Sequence, residues 1–122
     1  MRQILSVQKK SVSLQFIKKE FVMETFGEYI RQLRTSANLP IRKIAAQLDI
    51  DATLLGKIER NERPANKEVI AGIAKIFKQD EQDLFKRFLS DRIAYKIIDE
   101  NADIDVLRVA EQKVKYLKSK NK

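Results

Sequence analysis

The side chains best equipped for chemistry crowd into one short run, "ATLLGKIERNERP", residues 52–64. Thr53 brings a hydroxyl, and Lys57, Arg60 and Arg63 bring cationic donors that stay charged near neutral pH. Such groups recognise rather than transform. They donate hydrogen bonds to anions and to polar acceptors. The sequence has no His and no Cys. This removes the commonest general base, the commonest metal ligand and all thiol chemistry. Asp, Glu, Lys and Ser remain as conceivable catalytic groups. Asp99, Glu100, Asp103 and Asp105 form an acidic cluster that invites a metal reading. Without His or Cys it reads instead as a solvated loop. No cofactor, no metal and no enzymatic activity are expected.

Charge points to the kind of partner. The formal net charge is +8 over 122 residues. By segment it is +4 in residues 1–23, +3 in 24–79, −3 in 80–110 and +4 in 111–122. A basic balance suits a polyanion, most often nucleic acid. The plainer explanation is solubility, and positive ends around an acidic segment also permit self-association. Five Gly and Pro together are too few for a sheet with many turns. A 43% hydrophobic and 34% charged composition, with both signs present, fits helices with solvated outer faces. The length fits one small domain with extensions. No run approaches the ~20 apolar residues of a spanning helix. Lys9 and Lys10 break any signal-type apolar core, and no small-residue cleavage site follows. A soluble, cytoplasmic protein is expected.

The elements that must position the basic run can be read from apolar spacing. Residues 1–23 form an extension that reads two ways. "SVSLQFI" alternates like a short strand, and "FIKKEFV" could continue a helix. Met23 is a possible working start. Beyond it, Phe26, Tyr29, Ile30, Leu33 and Ala37 recur at helical spacing. Thr25 serves as N-cap, with Glu28 as its capping-box partner. "ANLP" ends this helix, and Pro40 opens a second through Ile41, Ile44, Ala45 and Leu48. Asp51 caps a third, short helix that buries Leu55 and Ile58. Asn61 takes the left-handed conformation after it. A fourth helix carries Val69, Ile70, Ile73, Ala74 and Phe77. A fifth, capped by Asp80, carries Leu84, Phe85, Phe88, Leu89, Ile93 and Ile97. A sixth follows "ENAD" through Ile104, Leu107, Ala110, Val114 and Leu117. Tyr29, Phe77, Phe85 and Phe88 read as core. The chain is expected to be all-α.

The second and third helices meet the demands of a helix-turn-helix, in which one helix braces another that enters the DNA major groove. Close approach needs a small residue, and Ala45 is small. The turn needs tolerance of positive φ, and Asp49 has it. Ile44, Leu48, Ile50, Leu55 and Ile58 fall at buried offsets. Ala52, Thr53, Gly56 and Lys57 leave the outer face of the third helix free of bulky apolar groups.

On these residues the chain resembles the XRE-type, lambda-repressor-like helix-turn-helix family. The likeness runs from Phe26 to about Leu84, with Arg34, Leu39, Ala45, Ile50, Ile58, Glu59 and Pro64 in register. It implies a five-helix domain over residues 24–89 that binds duplex DNA, usually as a dimer on a palindromic site. It implies that Arg34 pairs with Glu59 as a structural brace. Ala52, Thr53, Gly56 and Lys57 would meet base edges, Lys57 through guanine O6 and N7. Arg42, Arg60 and Arg63 would meet phosphate. The sequence departs from the family at three places: Ile41 stands where Gln is usual, and Asp49 and Asn61 stand where Gly is usual. The first departure removes a side-chain contact to DNA. Gly56 costs ~1 kcal/mol against Ala within a helix.

Residues 90–122 form a helical extension, ending in the basic tail "KVKYLKSKNK", which reads as a solvated end. Ile93, Ile97, Leu107, Val114 and Leu117 are its candidate dimerisation residues. The alternative is packing back onto the fourth helix. With "DEQDLFKRFLSDRIAYKIIDE", the chain also resembles small regulators encoded beside DNA methyltransferases in restriction-modification systems. The sequence thus points to a dimeric, sequence-specific transcriptional repressor or autoregulator. Its rival is an antitoxin-like interaction module whose C-terminal helices bind a partner protein. No membrane association or small-molecule ligand is expected.

Overall fold

The computed structural model describes residues 24–121, so the readings of "SVSLQFI" and of Met23 lie outside it. Every regular element in that span is an α-helix. They are α1 (Phe26–Ser36), α2 (Ile41–Leu48), α3 (Ala52–Glu59), α4 (Lys67–Ile76), α5 (Glu81–Asp99) and α6 (Asp105–Lys120). Among the described residues no helix is long and apolar enough to cross a membrane.

Side chains set where these helices start. Thr25 Oγ1 accepts from the Glu28 N–H at 3.1 Å, and Glu28 Oε1 accepts from the Thr25 N–H at 3.0 Å. This reciprocal box satisfies donors that a helix N-terminus otherwise leaves orphaned. Asp51 accepts from the Thr53 N–H and Asn66 from the Val69 N–H, capping α3 and α4. Left-handed residues end the first five helices: Asn38, Asp49, Asn61, Lys78 and Asn101 have φ between 52° and 63°. Four of these are Asn or Asp, whose short polar side chains tolerate this region better than most.

The chain divides into two compact units, with the boundary between Phe88 and Leu89, inside α5. The first unit holds the core. Phe26, Ile30, Ile58, Ala65, Val69, Ile70, Ile73, Ala74 and Leu84 form one buried cluster. Ile44, Ala45 and Leu55 form another, and Leu48, Ile50 and Phe77 pack against both. Fully burying each large aliphatic side chain contributes about 1.5–3 kcal/mol. α1 and the first half of α5 are joined by Phe26 and Phe88, edge to face at 5.4 Å. The Arg87 guanidinium lies 3.6 Å from the Tyr29 ring centre and pairs with Glu24 at 3.7 Å. Burial lowers the Arg87 pKa, and the neighbouring Tyr29 and Glu24 oppose that shift. The Tyr29 hydroxyl donates to Gln79 Oε1 at 2.6 Å.

The second unit begins at Leu89 and contains the rest of α5, then α6. α6 has no buried residue. Its apolar side chains Leu107, Val114 and Leu117 are 43%, 51% and 55% exposed, a large uncovered fraction for residues at helical spacing. Leu89 and Ile93, which the spacing places on an apolar helix face, are likewise exposed. Ion pairs along this unit, such as Lys96–Glu100 and Lys115–Glu111, join residues one helical turn apart.

Candidate nucleic-acid interface

The turn between α2 and α3 is tight because two local choices agree. Asp49 adopts φ 59°, ψ 43°, and its N–H donates to the Ala46 carbonyl at 3.1 Å. The Ile50 N–H donates back to the Ala45 carbonyl at 3.0 Å. These bonds close the end of α2, and Ile50 turns inward against both core clusters. Ala45 is buried, so α2 can lie close to α3. Leu55 and Ile58 anchor the inner face of α3.

The outer face of α3 is more varied than its spacing suggests. Thr53 is exposed and Lys57 half-buried. Ala52 is half-buried, packed against the cluster around Ile44. Gly56 is a correction to the open outer face expected from sequence: it is buried. The cause is the Arg60 side chain, which folds back over it. A Cβ at Gly56 would lie 3.2 Å from Arg60 Nη1 and 3.6 Å from Ile41 Cδ1. Arg42, Lys43, Arg60 and Arg63 are exposed around this surface.

The end of α3 is tied to α1 in two places. Arg34 Nε donates to Glu59 Oε2 at 2.7 Å, and Nη2 donates to Oε1 at 2.9 Å. Arg34 Nη1 also donates to the Leu39 carbonyl at 3.0 Å. Glu59 is the buried charged residue of this region, at 6% exposure. Its hydrogen bond raises the Arg34 pKa, against an opposing effect of burial.

The second tie was not legible in the spacing. The Gly27 N–H donates to Asn61 Oδ1 at 3.2 Å, and Asn61 Nδ2 donates to Thr25 Oγ1 at 2.9 Å. α1 comes so close to the end of α3 that a Cβ at Gly27 would stand 2.5 Å from the carbonyl oxygens of Ile58 and Glu59. The available signal was a glycine inside a strong helical pattern, which costs helix stability and needs a packing reason.

Glu62 is a further residue that spacing did not single out. Its carboxylate accepts from Arg60 Nε at 3.1 Å and from Nη2 at 3.5 Å. Its own N–H donates to the Lys57 carbonyl at 2.8 Å. Hydrogen bonding to Arg60, with smaller help from the charges of Arg60 and Lys57, holds the Glu62 carboxyl below its usual pKa.

α3 is thus braced at its end, carries Thr53 and Lys57 on its outer side, and has Arg42, Lys43, Arg60 and Arg63 exposed around it. Residues 30–84 match the model of the helix-turn-helix family HTH_3. The match supports a DNA-binding transcriptional regulator. No curated protein matches the chain. A solved structure, that of the clp gene regulator ClgR from Corynebacterium glutamicum, is similar with 19% identity and a TM-score of 0.47. That similarity covers 72% of this chain and 88% of the other.

Proposed function

We propose that the protein is a sequence-specific regulator that binds duplex DNA as a homodimer, with α3 in the major groove. The observation that carries this reading is the presentation of Thr53 and Lys57 on a short helix fixed to α1 by Arg34 and Glu59. Rigid presentation matters because base discrimination requires a donor to hold its position relative to one base edge. Lys57 donates to guanine O6 or N7. Thr53 bonds a base or touches a thymine methyl. Ala52 contributes by being small, allowing close approach of the helix. Arg42, Arg60 and Arg63 supply the surrounding positive charge, which sets register and affinity through phosphate.

Dimerisation follows from the amount of DNA one short helix can read. A single α3 covers too few base pairs, and a two-fold pair spaces two such helices about 34 Å apart on a palindromic site. The uncovered apolar side chains of Leu107, Val114 and Leu117, with exposed Ile93 and half-buried Ile97 on α5, are the surface for it. Residues 24–89 act as the DNA-binding domain and residues 90–122 as the dimerising extension. Binding over a promoter, including that of its own gene, would repress transcription.

Selection from a pool of randomised duplexes tests this reading. Enrichment of sites with two-fold symmetric half-sites supports it. Enrichment of none, together with stable capture of a different protein by α5 and α6, would favour an antitoxin-like interaction module.

A further inference from the structure

We infer that Arg60, laid in the slot above Gly56 and held by Glu62, reads a base edge, and that Glu62 is its positioning residue. This rests on the proposed DNA-binding function and changes the role of one residue within it, from phosphate contact to specificity determinant.

Three observations lead there. The first is where the guanidinium goes. Arg60 follows the last residue of α3, a position suited to a phosphate contact beyond the helix. Its side chain instead runs back toward the N-terminus, the direction helical geometry favours. It lies over Gly56, one turn earlier, with Nη1 3.2 Å from where a Cβ would be. A Cβ at 56 would make the guanidinium give by a few tenths of an ångström, and a larger side chain would displace it further. This gives a reason for a glycine that otherwise only weakens the helix.

The second observation concerns Ile41. Its Cδ1 borders the same slot, 3.6 Å from the position of that Cβ. Ile41 offers no hydrogen bond through its side chain, so the Arg60 guanidinium is the donor beside it at this patch.

The third is the partner. Glu62 takes the Nε and Nη2 side of the guanidinium. Its backbone is anchored by the bond from its N–H to the Lys57 carbonyl. An exposed pair of this kind adds little to folding stability, so its consequence is orientation. It also decides between two uses of Arg60. A phosphate clamp works by charge, and an arginine already neutralised by a carboxylate offers little release of counterions. A base reader works by geometry. The planar fork retains its Nη1 donors, oriented by Glu62, for the O6 and N7 acceptors of guanine.

The experiment compares the full chain with Arg60→Lys, Arg60→Ala, Glu62→Gln and Gly56→Ala. Each is used to select duplexes from a randomised pool, then titrated on the wild-type site, on single-base variants of it and on an unrelated duplex. The wild type is expected to select a guanine whose replacement costs about tenfold or more in affinity. Arg60→Lys keeps the charge and loses the preference at that base pair alone. Glu62→Gln weakens the same preference while binding the unrelated duplex more tightly. Gly56→Ala also weakens it, with a melting temperature no lower than wild type, which separates the slot from folding. Unchanged base preferences in Arg60→Lys and Glu62→Gln, with Arg60→Ala weakening every duplex equally, would make Arg60 a phosphate contact and overturn the inference. A wild-type chain that binds duplexes without any base preference overturns it as well. Failure to bind any duplex at low salt would remove the DNA-binding reading itself, and the inference with it.

Discussion

Arg34 and Glu59 meet across 25 positions of sequence in a two-point pair, Nε to Oε2 at 2.7 Å and Nη2 to Oε1 at 2.9 Å. The Glu59 side chain is 5% exposed and that of Arg34 14%. The same guanidinium holds the Leu39 carbonyl in the connection before α2. One side chain thus fixes the end of α3 and the approach to α2.

Removing Glu59 leaves a largely buried arginine without its counter-charge. Glu59→Ala is expected to lower stability by about 3 kcal/mol, the range for breaking a buried pair, and to weaken DNA binding as well. Urea denaturation measures the first effect. An unchanged urea midpoint would show that the pair does not brace the fold.

The approach of Gly27 to α3 gives a prediction with an unusual sign. Alanine normally stabilises a helix over glycine by ~1 kcal/mol. Here the added methyl would meet two backbone carbonyls and Asn61 Oδ1, and overpacking of this kind costs about 1–3 kcal/mol or more. Gly27→Ala should therefore lower the melting temperature. A raised melting temperature would mean that α1 and α3 can separate at little cost.

Lys57→Ala should weaken binding to the selected site by about 1–3 kcal/mol, with specificity relaxed at one base pair. Equal weakening on unrelated sequences would make Lys57 a phosphate contact. The measurement is a titration of matched and single-base-variant duplexes.

The dimer prediction depends on α6. Leu107→Asp with Val114→Asp should convert a dimer into a monomer in sedimentation, leaving the helix-turn-helix core folded. Operator affinity would then fall steeply, because each half-site would bind alone. A wild-type chain that sediments as a monomer, with α6 unfolded until a different protein is added, would favour the interaction-module reading.

Stability should change little between about pH 6 and about pH 8, since no histidine is present to titrate there. The raised pKa of Arg34 means its contribution is full below the unfolded arginine pKa and is lost only as pH rises through the still higher folded value. The lowered pKa of Glu62 places its contribution above the unfolded carboxyl pKa, to be lost as pH falls through the folded one. Urea midpoints at both pH values check this; a marked difference would require a titrating group elsewhere.

The helical architecture was legible because its signals were local. Thr25 with Glu28, Asp51 and Asn61 act within a few residues of themselves, where sequence spacing carries the geometry. Helical periodicity likewise placed Ile30, Ile44, Leu55, Ile58 and Ile73 in the core. What was not legible depends on contacts between elements or on side-chain direction. Nothing near Gly27 says that α3 ends against it. Lys78 takes φ 55° without the short polar side chain that suits that region. Gly56 looks open from its helical position and is covered where Arg60 folds back, with Ile41 beside it. Glu62 looks like one more surface acid until its two bonds to Arg60 are seen.

The most direct test of the central claim is binding to the DNA upstream of the protein's own gene against a scrambled duplex, titrated with salt. The account predicts a clear preference for the upstream DNA, with affinity for both falling steeply as salt rises. Equal affinity for the two would contradict sequence-specific recognition by α3 at that site and leave only an electrostatic attraction.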